Sequence, residues 1–270
     1  MKIIELDELK KLQVEILTKV HSFCMNNHLR YSLTAGTLLG AIRHKGYIPW
    51  DDDIDIAMPR PDYNSFLASF NGVYPELYVI APELNWDFYA PYANVCDNRT
   101  LVYESANGHR GIEIGVKIDI FPIDGVPSDY SEYMTKLKRI QFINKILWGK
   151  RYKLSHINIS HVKASCAIIG AKVISFYRTY SSFQKELNQI VKSYPFETSE
   201  YAHCWVFSSI ENRFKREIFE SYVDVSFKGD TYKSIKDYNV WLDALYGNYM
   251  QLPPKEQQIE HHHFKAFWKE

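Results

Sequence analysis

The stretch Trp50-Asp51-Asp52-Asp53-Ile54-Asp55 constrains the fold of this chain more than any other. Side chains alternate between faces along a strand. If 51–57 is extended, Asp51, Asp53 and Asp55 share one face, with Asp52 and Ile54 opposite. Three like charges on one face repel each other, and a divalent cation removes that cost. Magnesium takes hard oxygen ligands and sits between one or two carboxylates and substrate phosphates. Asp53 and Asp55 make a good pair for it, Asp51 is a weaker third candidate, and Asp52 points away. Alone, an acidic triplet of this kind is more often a solvated turn than a site.

The surroundings change that balance. Gly36-Thr37 precedes the acidic run, and Arg43-His44-Lys45 lies between. Backbone N–H groups at a glycine turn entering a helix can hold phosphate. Arginine can bind phosphate through two parallel hydrogen bonds, and pairing of Arg43 with a nearby aspartate is an equal alternative. Downstream, Lys117-Ile118-Asp119-Ile120-Phe121 places one carboxylate in an apolar strand. Such a charge is costly unless paired or bound to a metal, so Asp119 is a third candidate. Asp124 reads as a turn former. Trp50 reads first as core packing and second as a wall of the site.

Hydrophobic periodicity gives a coarse map. Helices are expected over about 4–27, 37–43, 63–70, 129–150, 163–193 and 242–250. Strands are expected over 29–33, 48–58, 77–80, 89–95, 100–103 and 115–121, the last closed by Pro122. The implied fold is α/β (α+β), a mixed sheet with flanking helices. Its parts are a core over 1–128, a basic helical region over 129–195 and a C-terminal part over 196–270 that completes the site within one compact unit.

The net charge is +0, which argues against nucleic-acid binding through bulk charge. That neutrality hides an asymmetry. Residues 133–185 contain no Asp or Glu, yet carry Lys136, Lys138, Arg139, Lys145, Lys150, Arg151, Lys153, Lys163, Lys172, Arg178 and Lys185. A solvated helical face is one reading, and contact with an anionic membrane or a lipid-linked glycan is the other. The cysteines, Cys24, Cys96, Cys166 and Cys204, form no metal or disulfide spacing. No apolar run reaches the roughly 18 residues of a membrane span. A cytoplasmic protein, peripheral at the inner membrane face if the basic stretch meets lipid, is the resulting expectation.

The run Ala35-Gly36-Thr37-Leu38-Leu39-Gly40-Ala41-Ile42-Arg43-His44, then Gly46, then Ile48 to Asp55, resembles the first motif of the LicD/fukutin family within the nucleotidyltransferase-fold superfamily. Ile118 to Asp124 resembles its second motif. Tyr246-Gly247-Asn248-Tyr249-Met250, Leu252-Pro253-Pro254 and the following histidines resemble its C-terminal motif. The resemblance implies a nucleotidyltransferase-like sheet core and a phosphotransferase of the phosphocholine-transferring branch. CDP-choline would be the donor. The acceptor would be a hydroxyl of a lipid-linked cell-surface glycan: teichoic acid, lipopolysaccharide or capsule precursor. Another CDP-alcohol, carrying ribitol or glycerol phosphate, or true nucleotidyl transfer, are alternatives.

The resemblance also implies Mg2+, or Mn2+ in its place, on Asp53, Asp55 and Asp51. Asp119 would either complete the metal site or accept a proton. Gly36, Thr37, Arg43, His44, Trp50, Tyr249 and His262 would approach the donor. Choline recognition would use aromatic faces, for which Trp86, Tyr89, Tyr92 and Trp205 are candidates.

Overall fold

The computed structural model describes residues 1–104, 113–151, 169–170, 173, 177–259 and 264–270. Helix α1 (Leu6–Asn26) buries Leu9, Leu12, Ile16, Leu17, Val20 and Phe23, spaced to make one apolar stripe, and carries Asp7 and Glu8 in its first turn. It packs on two strands of the main sheet, β5 (Ala93–Asp97) and β7 (Lys117–Val126). The sheet also contains β2 (Ser32–Leu33), β3 (Asp55–Pro59) and β4 (Leu77–Ile80), in the order β2-β3-β7-β5-β4. Among the described strands only β3 and β7 run parallel; the pairs β2/β3, β5/β7 and β4/β5 are antiparallel. Both β3 and β7 are buried nearly throughout, as central strands covered on two faces should be.

Strand β7 runs straight through Pro122, where the sequence predicts its end. The Asp119 N–H bonds the O of Ile54, the residue just before β3. N–H groups of odd-numbered residues thus face β3, and those of even-numbered residues face the other edge. On that edge β5 pairs only with residues 117–120, and β8 (Tyr201–His203), itself paired with β9 (Phe214–Lys215), takes over at Asp124. Pro122 sits in the gap between them, where no partner needs a donor.

Helix α2 (Ala35–His44) connects β2 to the acidic run and stops where Lys45 turns left-handed. Helix α3 (Arg60–Ser69) begins earlier than its apolar pattern suggests, because Pro61 fits the first turn. Two further helices, α4 (Tyr130–Arg151) and α5 (Tyr180–Val191), pack together over a second core containing Tyr133, Leu137, Ile140, Phe183, Leu187 and Trp205. The expected helix over 163–193 is described mainly as α5, and most of its first half lies outside the described residues.

The C-terminal third threads back into the rest. The hairpin of β10 (Tyr222–Phe227) and β11 (Asp230–Ile235) touches α2 and β2, and Lys228 N–H at its tip bonds Lys45 O. Helix α6 (Tyr238–Tyr246) starts and ends about one turn earlier than the sequence predicts. It stops at Gly247, whose positive φ of 64° suits a residue without Cβ. Strand β12 (Phe264–Trp268) is central in a small sheet between β1 (Lys2–Ile4) and β6 (Thr100–Glu104).

Candidate active site

The parallel register of β3 and β7 sets Asp55 directly beside Asp119. Asn94 on β5 is the next partner in the same row. All three side chains are nearly or fully buried, with relative exposures of 8%, 7% and 0%. Asn94 Nδ2 donates to Asp119 Oδ1 at 2.6 Å, and the Lys117 ammonium pairs with the same oxygen. Neither contact uses Oδ2. Lys117 shares the face of Asp119 because the two are separated by one strand residue. Burial works against the Lys117 charge, but Asp119 overcomes it and holds the ammonium well above its ordinary range.

The acidic run does not behave as one alternating strand. Regular pairing begins only at Asp55, and Asp51 N–H closes a turn onto Ile48 O at 2.9 Å. Carboxylate oxygens of Asp51, Asp52 and Asp53 consequently lie within 4.8 Å of one another. The alternation that put Asp52 on the opposite face does not apply in this bend. Gln13 of α1 pins the bend to the sheet: its Nε2 donates to Asp52 O at 2.9 Å and reaches Lys117 O at 3.4 Å. Tyr47 donates from its hydroxyl to Gln13 Oε1 at 3.0 Å.

Crowding shows in the protonation of the cluster. Asp55 is raised well above the ordinary carboxylate range by burial, then by the charges of Asp53 and Asp119. Asp53 is pushed up to about 8 by withdrawal from bulk water, then by Asp51 and Asp119. Its side chain still opens to solvent, so its desolvation is that of a recess rather than of the core. Asp51 is raised by burial, with Asp52 adding to the effect. Such a set is costly without a cation and suits hard-cation binding.

Gly36 and Thr37 hold this cluster in place. A Cβ on Gly36 would lie 2.3 Å from Asp51 Oδ2, so only glycine lets that carboxylate settle over the start of α2. The Thr37 hydroxyl accepts from Asp55 N–H at 2.8 Å, anchoring the first residue of β3. Ala35 adopts a positive φ of 46°, which marks backbone strain at the same turn.

Arg43 pairs with no carboxylate among the described residues. It donates to Tyr249 O at 2.8 Å and to His44 Nε2 at 2.9 Å, so it ties α2 to the C-terminal segment. Burial lowers both Arg43 and His44 from their ordinary values, and Arg43 lowers His44 further. Beside them lies an open groove of about 440 Å³, lined by Arg43, Trp50, Tyr246, Tyr249, Pro253 and Pro254 among others. Tyr246 joins the groove to the acidic cluster. Burial raises its hydroxyl, as do Asp55, Asp51 and Asp53, while Arg43 opposes them. His262 lies outside the described residues.

Sequence reasoning assigned no site role to Lys117, Asn94, Gln13 or Tyr246. The two-residue spacing of Lys117 and Asp119 was a usable signal. Asn94 and Gln13 become visible only through strand register and helix docking.

The four aromatic candidates for a choline cage fall in different surroundings. Trp205 stacks on Tyr133 in the helical core, with ring centroids 5.5 Å apart. Trp86 lies under the Lys185 ammonium. Tyr89 and Tyr92 pack with Phe88; Tyr92 feels the charges of Asp119 and Asp55, and both tyrosines act on Lys117. Asp124, read as a turn former, is instead buried in a bidentate pair with Arg60 at 2.6 and 2.8 Å.

Comparison with known proteins completes the description. Residues 28–152 match the model of the LicD/FKTN/FKRP family, nucleotidyltransferase domain. Over 273 residues the chain is 31% identical to the lipopolysaccharide cholinephosphotransferase LicD of Haemophilus influenzae, covering 99% of each protein. It is 32% identical over 83 residues to an uncharacterised protein of Rickettsia typhi, 28% of this chain and 27% of that one. A segment of 48 residues is 44% identical to an uncharacterised protein of Rickettsia prowazekii, 18% of each.

Proposed function

Because the chain belongs to the LicD family, we propose that it transfers phosphocholine from CDP-choline to a hydroxyl of a cell-surface glycan precursor and releases CMP. The observation that carries this reading is the meeting of Asp55 and Asp119 in register on parallel strands, beside the Asp51–Asp53 bend and the Arg43 groove. The full-length relative acts on lipopolysaccharide by its name, so a lipopolysaccharide-type acceptor ranks before teichoic acid or capsule. A lipid-linked acceptor on the cytoplasmic side of the membrane fits this reading.

In the proposed reaction the glycan oxygen forms a bond to the choline-bearing phosphorus. The bond from that phosphorus to the CMP oxygen breaks, and the hydroxyl proton passes to a carboxylate or to water. The donor set fits Mg2+, or Mn2+ in its place: Asp53 and Asp55 would hold it, with Asp51 and the neighbouring Asp52 in reach. Bound there, the ion would neutralise charge on the pyrophosphate. Arg43 and His44 would face the phosphates, and Trp50, Tyr246 and Tyr249 would wall the nucleoside. Lys117 and Asn94 orient Asp119 through Oδ1 and leave Oδ2 for a ligand bond or the proton. If Asp119 is the base, D119N lowers kcat and leaves Mg2+ binding unchanged; if it is a ligand, D119N weakens Mg2+ binding.

The deciding experiment incubates the protein and Mg2+ with CDP-choline, CDP-ribitol and CDP-glycerol and a lipopolysaccharide acceptor. CMP release with choline phosphate on the glycan supports the proposal. CMP release only with another CDP-alcohol would move it to the polyol phosphates, and pyrophosphate from a nucleoside triphosphate would indicate nucleotidyl transfer. No CMP from any donor, with the fold intact, would reject it.

A further inference from the structure

The helical region carries a surface that the transfer chemistry does not use. On α4, residues 138, 139, 142, 145 and 148 are all exposed. At 100° per residue, Lys138, Phe142, Lys145 and Trp148 fall on one side of the helix. Phe142 and Trp148 are 46% and 44% exposed. The Arg139 guanidinium lies over the Phe142 ring, 5.4 Å from its centroid. Arg139 is matched by Glu186, but among the described residues neither Lys138 nor Lys145 pairs with a carboxylate.

A second set repeats the pattern. Ile169, Val173 and Tyr177 are helical, spaced by one turn, and exposed at 48%, 59% and 84%. Leaving several large apolar groups in water is unfavourable, and clusters of them mark contact surfaces. All of these residues fall in the stretch 133–185 that holds no Asp or Glu. No described helix is long and apolar enough to cross a membrane.

We infer that this face of α4 docks on an anionic lipid bilayer, with Phe142 and Trp148 seated at the headgroup level and Lys138 and Lys145 against lipid phosphates. Two features of the helix select a bilayer over an acidic protein. No Asp or Glu interrupts residues 133–185, and although Glu186 neutralises Arg139, among the described residues Lys138 and Lys145 present uncompensated charge, as contact with a diffuse negative surface requires. On this face Phe142 and Trp148 alternate with Lys138 and Lys145, the composition of interfacial helices. The inference draws on the proposed function only in that a lipid-linked acceptor gives the contact a use.

Co-sedimentation of the full chain with vesicles tests it. We expect binding to phosphatidylcholine vesicles containing phosphatidylglycerol, little binding to phosphatidylcholine alone, and release by salt. The double variant Lys138→Gln/Lys145→Gln should weaken partitioning about 30-fold, taking about fivefold per charge. Phe142→Ser/Trp148→Ser should weaken it independently of salt. CMP release with a soluble acceptor should be unchanged in both variants, so failure of the catalytic reading and failure of this one are separable. No preference for anionic vesicles would overturn the inference. So would equal, salt-sensitive binding of the serine variant to vesicles and to soluble heparin, which would indicate a polyanion or acidic partner instead.

Discussion

Asp119 and Asp124 lie on the same strand, are both buried, and meet opposite surroundings. Asp124 faces Arg60, which closes on it with two hydrogen bonds and also reaches Glu83 at 3.0 Å, while Lys192 balances Glu83. Charge is matched there, and the group locks α3 to β7. At the other end, Asp119 shares one ammonium with a cluster that includes Asp51, Asp53 and Asp55. Charge is unmatched there, and the fold tolerates repulsion. A buried carboxylate with its own arginine holds structure together; a group of carboxylates short of cations is arranged to receive one.

The comparison can be broken at either end. The largest effect is expected at the matched end. Asp124→Ala leaves the buried Arg60 guanidinium with Glu83 but without its bidentate partner, at a cost of about 3–5 kcal/mol. Thermal unfolding should show a melting point lower by on the order of 10 °C, and an unchanged midpoint would refute the structural role. At the unmatched end, Asp55→Asn should leave the midpoint equal or higher, because repulsion is relieved. Turnover measured by CMP release should still fall about 10²–10³-fold, the range for removing one electrostatic stabiliser. A variant that loses stability but retains turnover would reverse the assignment.

His203, next to Asp124 in strand register, sharpens the contrast through pH. Its ring is fully buried, and neither nitrogen has a hydrogen-bond partner of normal geometry among the described residues. Burial lowers it from 6.5 to about 4, with the nearby backbones of Asn212 and Phe207 opposing. The folded-state value is depressed, so the unfolded chain takes up this proton first as pH falls. Stability is fully present above pH 6.5 and declines toward about pH 4, by about 3 kcal/mol for this group. Denaturant titrations across that window should show the loss. His203→Phe, which keeps the ring stacked on Phe214, should flatten it.

The smallest effect is expected at Gly36→Ala. The new methyl displaces Asp51 Oδ2, at a cost of about 1–3 kcal/mol for overpacking. A calorimetric titration should show weaker Mg2+ binding than in the parent chain. Unchanged binding would remove Asp51 from the ion's surroundings.

What was legible in the sequence follows from local rules. The apolar stripe of α1, the Gly36-Thr37 turn into α2, and the placing of an aspartate in the apolar strand around Asp119 all depend on neighbours in the chain. The three blocks that resemble the LicD family were readable for the same reason, and the full-length similarity bears out that membership. The tertiary structure decided the rest. Whether Asp52 joins Asp51 and Asp53 depends on a bend held by Gln13, from a helix far away in sequence. Whether Pro122 ends β7 depends on which strand lies beside it. Whether Asp124 forms a turn or a buried pair depends on Arg60 arriving from α3. In each case a long-range partner satisfies a polar group that local pattern leaves undetermined, and such partners are set by packing rather than by spacing.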